Sequence, residues 1–492
     1  MIRRLIWGIL GLAAILASVV LIRTALFASR QMPVGPPRGI LIDIDKEQIA
    51  DHLGRAIQFR TISHGPDSPV EEEAFKNLHR FFARSYPKVH STLKRETVSG
   101  SSLLYTWEGA DPNLKPILLM AHMDVVPVAA GTEGDWTHPP FSGEIADGFI
   151  WGRGAMDDKV GVLSILEAVE ILIAEGFRPS RTVYLAFGHD EEVGGFKGAA
   201  KIAALLRARG VELEFTLDEG FAITEGILPG VVAPVAMIGV AEKGYLSLEL
   251  TVESPGGHSS MPPKHTAVGA LSTAIHRLER NPFPAGIKGA TRQLFEFVGP
   301  EMPFSKKMVF ANLWLFGRLA ERRLAASPST NALIRTTVAA TMVGGSDKEN
   351  KLPTKAWAIV NVRIMPGESI DSVTEYVQRT INNPKVEIRP LEHAAEPSPV
   401  SDAGSASFKV VQRTIHEIFP DVVVAPSLTV GGTDSKHYVS LSDAAYRFMP
   451  LRLKRIDLHR YHGTNERVAV DNLAEAVRFY ARLIRNASYI HK

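Results

Sequence analysis

Residues 117–127 read ILLMAHMDVVP. A short apolar run stops on His122, and Asp124 follows two places on. Residues two apart in an extended segment point the same way, so this run reads as a buried strand that presents an imidazole and a carboxylate together at its end. The pattern returns at residues 182–192, TVYLAFGHDEE, which end on Glu191 and Glu192, and again at residues 213–218, LEFTLD, which end on Asp218. Residues 160–174 and 198–209 between these runs have helical periodicity. Strand and helix alternate from residue 43 to about 240. That predicts an α/β domain on a mainly parallel sheet with helices on both faces, its polar motifs at the carboxyl ends of the strands.

The pattern changes at Glu242-Lys243-Gly244. Strands are expected at residues 245–252, 334–343, 356–364 and 386–390, and helices at 267–279 and 369–381. Two helices and four strands suggest a smaller α+β, ferredoxin-like lid inserted into the first domain. The chain divides accordingly into an N-terminal segment (1–39), a first catalytic part (40–241), the lid (242–394) and a second catalytic part (395–492). Residues 281–329 form an extra segment within the lid, rich in Phe, Leu and Met.

Composition sets outer limits. A chain of 492 residues exceeds one ordinary core. Its 45% apolar and 22% charged residues are those of a globular protein. A net charge of +2 argues against nucleic acid as an obligate partner. The absence of cysteine removes disulfides, thiolate metal sites and a cysteine nucleophile, so any zinc must be held by His, Asp and Glu.

Residues 5–22 are uncharged and lie between Arg4 and Arg23. Eighteen helical residues reach ~27 Å, close to the thickness of a bilayer core. This reads as an uncleaved anchor with the catalytic part outside the cytoplasm, periplasmic or extracellular. A cleaved secretion signal is the alternative. Residues 31–39, QMPVGPPRG, read as a stiff tether.

His122, Asp157, Glu191, Glu192, Asp218 and His462 are all groups that bind metal ions or move protons. In WGRGAMDDK (151–159) the glycines allow a tight turn that thrusts Asp157 forward, and one carboxylate can bridge ions ~3.5–4 Å apart. Adjacent Glu191 and Glu192 diverge, so one can bind metal while the other faces a water. Two zincs lower the pKa of a shared water, and a free Glu can take its proton and hand it to a leaving nitrogen. Each fragment alone is commonplace surface chemistry. Their succession at strand ends points to metal-dependent amide hydrolysis.

At these residues the chain resembles the di-zinc aminoacylase and carboxypeptidase family, in the branch of carboxypeptidase S and the secreted fatty-acyl-amino-acid synthase/hydrolase. The resemblance runs from about residue 45 to the C-terminus. It rests on LLMAHMDVVP (118–127), WTHPPF (136–141), GRGAMDDK (152–159), GHDEE (188–192), GHSS (257–260) and NALIRTT (331–337). It implies two zinc ions, with cobalt or manganese as substitutes. His122 and Asp218 would bind one, Glu192 and His462 the other, and Asp157 would bridge them. Asp124 would orient His122, Glu191 would be the general base, and the Asp157–Asp158 peptide would be cis. The lid would carry His258 to polarise the scissile carbonyl. Arg363 would grip a substrate carboxylate, Gly432 and Thr433 would form a substrate loop, and Asn331 would belong to the binding site. Smaller relatives dimerise through the lid, so a monomer and a lid-mediated homodimer are both open.

The apolar segment departs from the plain family pattern. Leu294, Phe295, Phe297, Phe304, Met308, Phe310, Leu313, Trp314 and Phe316 either pack the lid or replace a dimer partner, or else they line an acyl-chain groove. The reading is a membrane-anchored di-zinc hydrolase of N-acyl, long-chain amino acids. A carboxypeptidase or dipeptidase trimming short peptides is the alternative. A non-catalytic binding protein on the same scaffold would lack Glu191 or a ligand, and none is missing.

Overall fold

The computed structural model describes residues 1–33, 42–228 and 230–490. The tether expected at residues 31–39 therefore lies mostly outside the described residues. Strands Ile117–His122, Val183–Gly188 and Phe215–Asp218 run parallel at the centre of a ten-stranded mixed sheet, with Ile117 level with both Val183 and Phe215. Ile117–His122 is buried throughout, as a parallel strand covered on both faces must be. Its alternation splits two cores. Ile117, Leu119 and Ala121 join one, beneath helices Lys159–Ala174 and Val470–Ala487, while Leu118 and Met120 join the other, beneath helix Ala199–Ala208.

The chain then leaves this sheet for a second one. Strands Gly244–Glu253 and Lys355–Ile364 pair antiparallel along their whole length, flanked by Thr337–Gly344 and Glu387–Pro390. Helices Ala267–Arg280 and Ile370–Ile381 cover the sheet, and Leu246, Leu248, Leu250, Leu271, Val360 and Val373 are part of a separate core. The two-helix, four-strand content read from the sequence is present.

Residues 281–329 divide between the two cores. Phe283 enters the lid core, but helix Gly289–Val298 packs against strand Val423–Thr429 of the large sheet. Leu294, Phe295, Phe297 and Val298 are buried in the catalytic core, and Phe295 stacks on Phe310 at 4.2 Å. These aromatic rings are spent on packing. Helix Phe304–Ala311 lies beside the N-terminal helix Ile2–Leu26, Asn312 bonds that helix, and Leu313–Leu324 packs against Phe304–Ala311. That helix is long and apolar enough to cross a membrane, with a mean hydropathy of 2.7 over its best 18-residue window.

Candidate metal centre

His122 ends its strand with both ring nitrogens committed. Nδ1 lies 3.0 Å from the backbone oxygen of Asp124 and 3.3 Å from its Oδ1. Two acceptors there place the proton on Nδ1 and turn the Nε2 lone pair outward, the tautomer a metal-binding imidazole needs. Asp124 does more than orient His122. Its Oδ1 accepts the N–H of Glu191 and its Oδ2 that of Glu192, each at 3.2 Å, while the Ser63 hydroxyl donates to Oδ2 at 2.7 Å. Burial pushes this carboxyl up, but His122 and Ser63 outweigh it and hold it below its ordinary range.

Asp157 stands between two histidines. Its Oδ1 is 3.1 Å from His122 Nε2, and its Oδ2 is 3.0 Å from His462 Nε2. Burial opposes its charge, yet contacts with both imidazoles keep it well below the usual carboxylate range. The peptide to Asp158 is cis, as the resemblance implies. Gly154 adopts φ 88° in the approach, and a Cβ there would meet Val125 Cγ1 at 2.7 Å.

A buried ion pair, not anticipated from the sequence, holds this loop. Glu466 Oε1 accepts the N–H groups of Gly154, Met156 and Asp157 at 3.0, 2.7 and 3.2 Å. Its Oε2 accepts Arg153 Nη1 at 2.6 Å, and Arg153 Nη2 reaches the carbonyls of His462 and Gly463, each at 3.1 Å. One carboxylate and one guanidinium thus tie the Asp157 loop to the His462 loop.

Two groups of three result. His122 Nε2, Asp157 and Glu219 form one, and Asp157, Glu192 and His462 the other. Glu192 Oε2 is 3.2 Å from His462 Nε2, and Glu219 Oε1 is 3.7 Å from His122 Nε2. The carboxylate beside His122 therefore belongs to Glu219, not Asp218. Asp218 turns to the opposite side, where its Oδ2 accepts the N–H and hydroxyl of Ser435 at 2.8 and 3.0 Å. The acidic pair Asp218-Glu219 after a buried strand was the available signal, the same signal as Glu191-Glu192.

Glu191 adjoins both groups without a ligand position of its own. Burial pushes its carboxyl well above the ordinary range, and Asp434 and Glu192 add to this against His122. Glu192 Oε1 is buried with no hydrogen-bond partner among the described residues. Three carboxylates and two imidazoles converge with unspent lone pairs, a hard, partly anionic donor set without sulfur. These residues fit a pair of divalent cations.

The expected substrate residues are more dispersed. Among the described residues no hydrogen bond or ion pair joins His258, Arg363 or Asn331 to the carboxylate cluster. His258 is exposed on a two-residue ribbon paired with Lys351–Leu352, and its Nδ1 accepts the N–H of Ser260 at 3.2 Å. A backbone donor on Nδ1 leaves the proton on Nε2. Arg363 is half-buried over the Tyr245 ring at 4.7 Å, with Nε 3.3 Å from Asn361 Oδ1. It has no acidic ion-pair partner among the described residues. Asn331 lies in the short helix Pro328–Ala332. Gly432 is exposed, whereas Thr433 gives both its N–H and its hydroxyl to Glu242, at 3.0 and 2.7 Å.

A model described as peptidase family M20/M25/M40 matches residues 118–486. The chain belongs to this family. It is 44% identical to a probable carboxypeptidase S-like protein of Dictyostelium discoideum, covering 89% of this chain and 85% of the relative. It is 39% identical to the N-fatty-acyl-amino acid synthase/hydrolase PM20D1 of Xenopus tropicalis, covering 97% and 94%. Carboxypeptidase S of Saccharomyces cerevisiae is 33% identical, covering 89% and 84%. Among solved structures, the fold matches a metallo-carboxypeptidase of the family from Sulfolobus solfataricus, with a TM-score of 0.65 at 16% identity over 91% of this chain and all of that one. A Bacillus subtilis protein described as a dinuclear metal-binding peptidase matches with a TM-score of 0.58 at 15% identity, over 91% and 100%. The protein is a metal-dependent hydrolase of the metallopeptidase class.

Proposed function

We propose that this enzyme hydrolyses the amide bond of N-acyl amino acids, long-chain ones included, at a di-zinc centre. His122 and Glu219 would hold one ion, Glu192 and His462 the other, with Asp157 between them. Metal ions bound there supply Lewis acidity and make water reactive at neutral pH. Glu191 takes the proton of the attacking water and passes it to the leaving nitrogen. Its burial, which raises its affinity for a proton, suits both halves of that task. His258, with its proton on Nε2, donates to the scissile carbonyl oxygen as charge builds there. The N-terminal helix holds the catalytic part at a membrane, outside the cytoplasm.

One observation carries the substrate class. Arg363 is a half-buried guanidinium with no acidic ion-pair partner among the described residues. A free substrate carboxylate satisfies that fork. Relatives named as fatty-acyl-amino acid hydrolases support the acyl half. The relative named carboxypeptidase S-like supports the second reading, removal of a C-terminal residue from short peptides, which uses the same carboxylate grip.

Parallel assay of N-acyl amino acids, their carboxamides and dipeptides separates these readings. The enzyme should prefer acyl amino acids. Arg363→Ala should lose most activity on them and much less on the carboxamides. Equal losses would give Arg363 a structural role, and a preference for dipeptides would favour the carboxypeptidase reading.

A further inference from the structure

Helix Ile2–Leu26 is exposed almost throughout, and only Val20 and Thr24 are buried. Both are covered by the corner between helices Phe304–Ala311 and Leu313–Leu324. Asn312 sits in that corner fully buried. Its Nδ2 lies 3.2 Å from the Val20 carbonyl, 3.2 Å from Thr24 Oγ1 and 2.9 Å from the Met308 carbonyl. Its Oδ1 accepts the indole N–H of Trp314 at 3.3 Å. Just beyond, Phe27 lies over Gly299, Arg30 pairs with Glu296 at 3.0 Å, and the Gln31 amide bonds both backbone groups of Val424 at 3.0 and 2.8 Å. The last turn of the apolar helix and the chain after it are thus fixed to the enzyme body.

That attachment has a geometric consequence. A bilayer core of ~30 Å takes ~20 helical residues. The uncharged run of residues 5–22 fills most of that length and ends at Arg23, so the Val20–Thr24 corner falls at the lipid boundary. The helix beside it presents Trp314, Leu315, Arg318, Leu319 and Arg322 at helical spacing on one exposed face, and Phe304 is exposed on the preceding helix. Phe304, Trp314 and Leu319 are each more than half exposed, at 61%, 56% and 51%. Apolar side chains interleaved with arginines mark a helix lying in a membrane interface, where long cationic stems reach up to phosphate while the apolar groups enter the acyl boundary.

From these contacts we infer that helices Phe304–Ala311 and Leu313–Leu324 form a second membrane contact, lying on the lipid surface beside the crossing helix and fixing the tilt of the catalytic domain. Of the apolar segment 281–329, residues 304–324 make this platform, while Phe283 and residues 294–298 pack in the cores. The inference rests on the membrane reading of Ile2–Leu26, and the experiment tests the two separately.

The chain has no cysteine, so single cysteines can be labelled cleanly. Leu12→Cys reports the crossing helix, Leu315→Cys and Leu319→Cys the platform, and Met261→Cys an exposed apolar position on the lid. Each full-length variant is labelled with a polarity-sensitive fluorophore. It is then reconstituted in phosphatidylcholine–phosphatidylglycerol vesicles with or without phospholipids spin-labelled near the headgroup end and near the terminal methyl of their chains. Labels at residues 12, 315 and 319 should lose most of their emission to the spin labels, and the label at 261 should keep it. Loss at 12 without loss at 315 and 319 overturns the platform and leaves the anchor standing. No loss at 12 overturns the anchor reading. Labels at 315 and 319 shielded from both the lipid quencher and aqueous iodide indicate a second protein copy on this face, which also overturns the platform.

Discussion

Asp218 and Glu219 are neighbours whose carboxylates face opposite ways. Asp218 accepts from Ser435, while Glu219 stands 3.7 Å from the Nε2 of His122. The pair makes a sharp prediction. Glu219→Ala should reduce bound metal towards one ion per chain and abolish turnover. Asp218→Asn keeps an acceptor for Ser435, so metal content should stay at two ions per chain while the 433–435 loop loosens. Metal analysis of the purified variants by mass spectrometry decides the matter. One ion lost in Asp218→Asn and none in Glu219→Ala would restore the assignment read from the sequence.

Glu191 has no ligand position, so its loss should separate chemistry from metal binding. Glu191→Gln keeps its size but cannot accept a proton. Removal of a general base costs 10²–10⁴-fold, so kcat should fall at least ~100-fold. Zinc content should remain near that of the unaltered enzyme. Near-normal turnover would move the base elsewhere.

Glu466 acts on the metal centre through the backbone. Glu466→Ala removes the acceptor of three N–H groups and strands the buried Arg153. Removing one partner of a buried pair costs ~3–5 kcal/mol, and supports of this kind are worth ~10–100-fold in metal affinity. Chelator titration should show weaker metal retention and thermal unfolding a lower Tm. Glu466→Gln, which keeps an acceptor oxygen, should fall between. Equal metal retention in all three proteins would show that the clamp does not hold the site.

His79 gives a pH dependence separate from the metal centre. Burial, and secondarily Arg95, push it down to about 4, against 6.5 when unperturbed. Between those values the unfolded chain takes up a proton that the folded protein refuses. Stability is therefore lost as pH falls from about 6.5 to 4, by up to ~3 kcal/mol from this group. His79→Gln removes that contribution, and its unfolding free energy from urea titrations should decline less steeply across the window. Identical slopes would show that His79 titrates normally in the folded protein.

The positions of His122 and Glu192 were legible because apolar runs that stop on polar groups have a fixed period, and that of Asp157 because glycines mark the turn that precedes a helix. The choice between Asp218 and Glu219 was not. Alternation says that neighbours face opposite sides, but the side on which the cluster lies depends on the twist of the whole sheet. Glu466 was invisible as one acid in a late loop, since its partners, the Arg153 side chain and three backbone N–H groups, lie some 310 residues away. The lid strands announced themselves by alternation. The apolar segment was legible only as composition. Its partners, strand Val423–Thr429 and the N-terminal helix, are joined by contacts such as Asn312 to Val20, 292 residues apart, which no local pattern encodes.

Asp157 is the hinge of the account, with one oxygen at 3.1 Å from His122 and the other at 3.0 Å from His462. Metal content of Asp157→Ala, measured beside the unaltered enzyme, tests it most directly. The unaltered protein should hold two zinc ions per chain and the variant close to none, because both sites lose the same anion. Two full equivalents retained by the variant would contradict a shared carboxylate and, with it, the dinuclear mechanism proposed for this enzyme.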